Sequence, residues 1–410
     1  MEIALKPENC RTALAAVLRN RGAPGMDGMS CRELSKHLAQ HWPVLKDKLL
    51  KGSSVPSPVR RVPLAKPGGG QRLLGIPTVQ DRFIQQLLLQ AMTPIYERRF
   101  SEHSHGFRPG RSAHDAVRVA AAYARAGKDR VVDMDIAQFF DRVNHDILLG
   151  RIGQTLRDKR VLQLIGRYLR AGALLSGVVI RSEAGTPQGG PLSPLLANIY
   201  LDALDRELES RGHRFSRYAD DCNIYVSSEE AAVRVMATVS RWIERHLRLQ
   251  LNATKSGTGR VWERKFLGFS LNRRLEIEVS RPSLARFKDK VRHAWRSCQS
   301  ISSRKLREHW CAQLRGWWAD YRLAENRRAV FGMEGWIRRH IRSCFWQRWH
   351  SVAGRTAALK RLGLRGRQLK VAHSSRGSWP LAATASLQTA LSNGVLKRYG
   401  FLMPSELAGA

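Results

Sequence analysis

Asp220 and Asp221 stand side by side in the middle of an apolar pattern, and that placement limits what the surrounding chain can become. Phe215 to Tyr218 and Cys222 to Val226 read as two short strands with the acidic pair at the turn between them. Burying one carboxylate beside another is costly unless something cancels the charge, and a divalent cation with oxygen ligands is the usual partner. Taken alone, Tyr218-Ala219-Asp220-Asp221 reads more readily as a solvated turn.

A second segment bears on the choice. Val131 to Ile136 alternates, so that Val132, Met134 and Ile136 face one way and Asp133 and Asp135 the other. Such a strand buries its apolar face and offers carboxylates to a cleft. Nucleotidyl transfer uses two cations ~3.5–4 Å apart, one activating the attacking 3′-oxygen and one holding the triphosphate. Magnesium keeps some of its water, so two or three Asp residues suffice as ligands. Asp135, Asp220 and Asp221 could supply that set if their strands are neighbours in one sheet.

Charge narrows the partner. The chain carries 70 Lys+Arg against 34 Asp+Glu, a formal net charge of +36, which repels itself unless a polyanion takes up the field. Nucleic acid is the expected partner. No stretch approaches the ~20 apolar residues of a membrane span. The N-terminus lacks the basic-then-apolar layout of a signal peptide, and the six cysteines include no Cys-x-x-Cys pair. A cytoplasmic protein, nucleoid-associated when acting on DNA, is expected. A 43% apolar share supports a folded core in a chain long enough for two or three domains.

Residues 1 to about 50 read as helical around a turn-rich Gly22-Ala23-Pro24-Gly25-Met26-Asp27-Gly28. Val59 to Pro63 and Arg72 to Leu74 read as a hairpin, and Gln80 to Tyr96 and Ala113 to Ala126 as amphipathic helices. From about residue 280 helical stripes take over: Leu306, Trp310, Leu314, Trp317 and Tyr321 share one face, and Ile337, Ile341 and Phe345 repeat the pattern. Residues 281–370 hold 23 Lys+Arg and 5 Asp+Glu, a net +18, half of the whole excess. The tryptophans follow the helical period and are expected in the core; the arginines are the candidates for phosphate contact.

Asp135-Ile136-Ala137-Gln138-Phe139-Phe140-Asp141 and Tyr218-Ala219-Asp220-Asp221 resemble the first and third palm motifs of reverse transcriptases. Between them, Gly185-Thr186-Pro187-Gln188-Gly189-Gly190-Pro191-Leu192-Ser193-Pro194 is similar to the Pro-Gln-Gly loop of the group II intron-encoded enzymes. Leu64-Ala65-Lys66 with Arg72-Leu73-Leu74-Gly75-Ile76-Pro77-Thr78 resembles the fingers hairpin, although Leu73 stands where the family usually has Pro. Gly106-Phe107-Arg108-Pro109-Gly110-Arg111-Ser112-Ala113-His114 matches a signature near the template path, with His105 where Tyr is common. Phe266-Leu267-Gly268-Phe269 resembles the primer-gripping turn, and Leu314-Arg315-Gly316-Trp317-Trp318 the maturase thumb.

The resemblance implies an α/β right-hand polymerase: fingers and palm with a small antiparallel sheet, then an α-helical thumb. It implies an N-terminal extension, fingers and palm over 1–275, a thumb over 276–373 and a small DNA-binding segment over 374–410. Asp135, Asp220 and Asp221 would hold two Mg²⁺ ions, with Lys255 protonating the departing pyrophosphate. Lys66, Arg72, Ile136, Phe140 and Gln188 would bind the dNTP, Phe140 as the gate against a ribose 2′-hydroxyl. Arg108, Arg111, Gly189, Gly268, Arg315, Arg338, Arg339 and Arg342 would contact template, primer or RNA. The implied activity is RNA-directed DNA synthesis by a bacterial intron-encoded enzyme. It would also bind its intron RNA as a maturase and act on target DNA in retrohoming. No endonuclease cassette is recognisable after residue 380. The alternatives are a domesticated relative in DNA repair or phage defence, and a splicing cofactor without catalysis.

Overall fold

The structure, a computed structural model, describes residues 1–65, 71–175, 178–180, 185, 189–297 and 301–409. Its strands, among the described residues, are β1 (Val59–Ala65), β2 (Gln71–Ile76), β3 (Arg130–Asp135), β4 (Ala173–Leu175), β5 (Val178–Ile180), β6 (Arg214–Tyr218), β7 (Asp221–Val226), β8 (Gly257–Arg260), β9 (Lys265–Phe266), β10 (Phe269–Leu271) and β11 (Ile277–Val279). Two compact units emerge, Met1–Arg260 and Val261–Ala410.

The first unit is built on an antiparallel sheet of order β6-β7-β3-β8. Alternation sorts its residues by face. Val132, Met134, Phe215, Cys222, Ile224 and Val226 enter the main core, with Ile136 just beyond the end of β3. There they meet apolar residues of the helices Ser193–Ser210 and Glu229–Leu247. Asp133, Asp135 and Asp221 therefore occupy the opposite face, as two-residue periodicity requires. A second sheet, β2-β1-β4-β5, contains the expected hairpin of β1 and β2, with β4 parallel to β1. Helices at Val79–Glu97 and Ala113–Arg125 lie where the apolar spacing places them, each started by a side-chain cap: Thr78 accepts from the Asp81 amide, and Ser112 with Asp115 forms a capping box.

The second unit opens with the small sheet β11-β10-β9 and continues as helices, among them Arg281–Ser297, Ser303–Tyr321 and Glu334–Arg348. Its tryptophans are core residues. Trp310 is buried, and Phe287 stacks on Trp317 with ring centroids 4.1 Å apart. One expected boundary needs correction. A division at residue 275 would fall between β10 and β11, which pair in one sheet; the structure divides earlier, after Arg260. Residues 374–410, too small to form a domain alone, dock on the basic helical region as their size requires. Leu391, Leu396, Phe401 and Met403 join the tryptophan cluster, and Trp310 Nε1 donates to the Leu402 carbonyl at 2.8 Å.

Trp310→Ala should therefore cost the second unit about 3–5 kcal/mol. Limited proteolysis of the variant should then cut within 391–403. Resistance there equal to wild type would show that the C-terminal residues hold without Trp310.

Candidate active site

The chain turns from β6 to β7 through Ala219 and Asp220, with Tyr218 paired to Asp221. Ala219 has φ +57°, a left-handed conformation that disfavours any residue with a Cβ by about 1–2 kcal/mol. Its surroundings hold it there. Gly106 lies against the turn so closely that a Cβ on it would stand 2.3 Å from the Ala219 nitrogen. Arg217 Nη1 donates to the Ala219 carbonyl at 2.9 Å.

Arg217 is the centre of that support. It is fully buried, and all five of its N–H groups have acceptors. Nε and Nη2 grip the two oxygens of Asp205 at 2.7 and 2.5 Å; Asp205 is itself fully buried on the helix Ser193–Ser210. The remaining bonds reach Ser104 Oγ at 2.7 Å and Asn198 Oδ1 at 3.1 Å. Asn198 in turn donates to the Gly106 carbonyl at 2.8 Å. Burial works against a charged guanidinium, but Asp205 outweighs it and holds the Arg217 pKa above its ordinary value. Sequence reading passed over both residues. The signal was there: Arg217 shares the core-facing register of Phe215, and a cation in that position demands a buried acid.

At the other side of β7, Asp135 pairs directly with Asp221. The segment after the helix Glu229–Leu247 is laced to the end of β3: Asn252 N donates to the Asp135 carbonyl at 2.8 Å, and Asp135 N to Ser256 Oγ at 3.0 Å. This lacing delivers Lys255, whose Nζ lies 3.2 Å from Asp135 Oδ2. Asp221 is pushed up to about 7 by burial first, then by Asp220, Asp135 and Asp133, with Lys255 opposing. The carboxylates thus repel one another more than the nearby cation compensates, and such a donor set suits a hard divalent cation. Among the described residues no three His, Cys, Asp or Glu side chains are already gathered in ligand geometry.

Other expected site residues fall differently. Lys66 and Gln188 lie outside the described residues, as does the side chain of Arg72. Gly189 is in place against β2: its φ is +129°, and a Cβ would meet the Gly75 carbonyl oxygen at 2.6 Å. Phe140 is half-buried, edge-on to Phe139 at 5.2 Å, and its carbonyl abuts Gly185. Ile136 is 4% exposed and its side chain belongs to the core, leaving its backbone alone for any ligand. Arg108 is no template contact: its guanidinium is spent on Glu97 (2.6 Å) and on the Ser101 and Ser104 carbonyls, bracing the loop that carries Gly106. Arg111 donates to the Glu102 carbonyl at 2.5 Å. Phe107, not singled out beforehand, is 49% exposed with its ring 6.3 Å from that of Tyr218.

The remaining candidates belong to the second unit. Gly268 forms the turn between β9 and β10, beside Tyr321. Arg315 is exposed. Arg342 is 7% exposed and donates to the Leu391 carbonyl, so it is a core brace and not an RNA contact. Arg338 pairs with Glu334 at 2.8 Å, and Arg339 lies over the Trp379 ring at 4.3 Å.

An antiparallel sheet presenting carboxylates from two paired strands, preceded by a hairpin sheet, is the palm-and-fingers architecture of a polymerase. Residues 64–271 match the family described as reverse transcriptase (RNA-dependent DNA polymerase), and residues 284–363 match the group II intron, maturase-specific domain. The chain therefore belongs to the reverse transcriptase family and carries beside that domain a group II intron maturase-specific domain. It is 32% identical over 296 residues to protein YkfC of Escherichia coli, covering 62% of this chain and 78% of that one. It is 37% identical over 221 residues to the group II intron-encoded protein LtrA of Lactococcus lactis, covering 52% of this chain and 35% of LtrA. An uncharacterized 91 kDa protein in the cob intron of Schizosaccharomyces pombe is 39% identical over 159 residues, 39% of this chain and 20% of that protein. The chain thus spans about a third of LtrA and a fifth of the yeast protein.

Two outcomes follow from the loop and the buried pair. Arg217→Met should destabilise the chain by about 3–5 kcal/mol, since Asp205 is left charged and unpartnered. Arg217→Met with Asp205→Leu should recover most of that in chemical denaturation. Primer extension by the double variant should stay depressed in kcat, because Ala219 and Asn198 still lack their donor. Full recovery of both would make the pair purely structural.

His105 has both ring nitrogens buried without partners among the described residues. Burial, then Arg111, lowers its pKa to about 4. The unfolded chain takes up that proton near pH 6.5, so it binds more protons than the folded chain between 6.5 and 4. Stability should fall as pH drops through that window, and fall less in His105→Tyr. Thermal unfolding between pH 7 and 4.5 checks this; parallel curves would refute it.

Proposed function

We propose that the protein extends a DNA primer along an RNA template at the carboxylate end of β3 and β7, and that its helical unit holds intron RNA. The observation that carries this reading is the pairing of Asp135 with Asp221, with Asp220 on the adjoining turn. These three residues are the ligands proposed for Mg²⁺, which when bound would activate the primer 3′-hydroxyl and neutralise the triphosphate. The 3′-hydroxyl gives its proton to solvent as its oxygen attacks the α-phosphorus of the dNTP, and the bond from that phosphorus to the bridging oxygen breaks to release pyrophosphate. Lys255, largely exposed beside Asp135, is proposed to give that leaving group its proton. Phe140 is proposed as the gate on the resemblance; its half-buried ring packs against the main core. Lys66, Arg72 and Gln188 are proposed at the dNTP on the resemblance alone.

The maturase-specific match and the net +18 of residues 281–370 support intron RNA as a partner, with RNA template, DNA primer and dNTPs as substrates. Target DNA and retrohoming complete the proposal. They are motivated by the likeness to a group II intron-encoded protein.

Asp220→Ala should lower cDNA synthesis by roughly 10³-fold while leaving the affinity for a structured intron RNA within about twofold. Equal loss of both activities would mean that the aspartates serve the fold.

A further inference from the structure

The second unit contains a pocket of about 740 Å³, remote in sequence from the carboxylates and unused by the chemistry above. Five arginines line it: Arg304, Arg307, Arg348, Arg361 and Arg398. Glu308 approaches the first two, at 3.4 and 3.9 Å, from an exposed position. The other three have no carboxylate partner among the described residues. Arg348 is the most telling. Its Nη2 donates to the Ile301 carbonyl at 2.7 Å, while its Nη1 is buried with no acceptor among the described residues. A buried guanidinium nitrogen without an acceptor is expensive, and an anionic oxygen is what would satisfy it.

Apart from Ser303 the rest of the lining is apolar and aromatic: Phe345 and Phe401 are buried, Trp349 is half-buried, and Tyr399 is 46% exposed. Phosphate alone would have no use for that wall. A duplex presents its phosphates on a convex surface and keeps its bases stacked inside, so it cannot fill a concave aromatic pocket. An unpaired nucleotide can do both, laying its base on the aromatic wall and its flanking phosphates on the guanidiniums. The pocket's size falls within the range of small-ligand sites.

We infer that this pocket takes an unpaired nucleotide of single-stranded nucleic acid, with its base against the aromatic wall and its phosphates held by Arg348, Arg361 and Arg398. This rests on the reading of the helical unit as RNA-binding and narrows it from a charged face to a site.

The test uses the full chain and four labelled probes: an unstructured 15-nucleotide RNA, the same sequence as DNA, a duplex RNA of that length, and a structured intron RNA. Exposed residues are changed, so the variants should fold, which thermal unfolding verifies. Arg361→Gln with Arg398→Gln should weaken single-strand binding about 10-fold and flatten the slope of log affinity against log salt by about 1 to 1.5. Tyr399→Ala should weaken it about fivefold with the slope unchanged. Duplex binding should move less than twofold in either. The RNA and DNA single strands show which sugar the site prefers, and tight binding of either supports it. Equal loss on duplex and single strand overturns the pocket, as does an Arg273→Gln control, at an exposed arginine outside the pocket lining, that reproduces the single-strand loss. Variants that match wild type overturn it too. A wild-type chain that binds none of the RNAs overturns instead the underlying reading of the unit.

Discussion

Asp135 and Asp221 are paired at the end of a sheet with Asp220 on the adjoining turn, and their mutual repulsion has to be met by whatever braces that sheet from its other face. Two like charges ~4 Å apart cost about 4 kcal/mol at the effective dielectric of a protein surface. That cost acts on the turn that carries Asp220, already strained at Ala219. The Arg217–Asp205 pair opposes it from the dry side. Its five hydrogen bonds tie β6 to the helix Ser193–Ser210, to Ser104 and to the carbonyl of the strained residue itself. Removing either charge would leave the other stranded at 0% exposure, so the pair acts as a unit. Rigidity at the acidic turn is thus secured by an ion pair that never meets solvent or substrate.

The same residue types serve opposite ends in the second unit. Its arginines look alike in sequence, yet Arg342 is a buried brace on the Leu391 carbonyl and Arg339 a ring-stacked one on Trp379. Counting positive charge therefore overstates the surface open to phosphate. What distinguishes a guanidinium free to bind is an exposed position with no carboxylate partner among the described residues, as at Arg361 and Arg398. Burial lowers the Arg342 pKa, and Arg338 adds to that, yet carbonyl acceptors keep the side chain in place.

How much of this was legible beforehand follows from the range of each interaction. The alternation of Val131 to Ile136 and the apolar runs flanking Asp220 placed β3, β6 and β7 almost to the residue, because side-chain direction in a strand is a local property. The stripe through Trp310 and Trp317 was equally readable, since a helix face is set by spacing alone. The partners of Arg108, Arg217 and Arg342 were not. Glu97, Asp205 and the Leu391 carbonyl are fixed by tertiary packing, and each arginine looked like one more free cation. β8 escaped notice for another reason: Gly257 to Arg260 has no apolar alternation, and its place in the sheet comes from pairing with β3.

The C-terminal residues show why a domain boundary drawn from composition can mislead about chemistry. Residues 391–403 are too short to bury a core of their own, so they close the tryptophan cluster through Leu396, Phe401 and Met403. In doing so they also carry Arg398 and Tyr399 to the mouth of the arginine-lined pocket. A segment that seals a core is held at the stability of that core, not at the low stability typical of a chain end. The pocket wall it provides is therefore pre-organised, and a nucleotide entering it does not have to order the wall first.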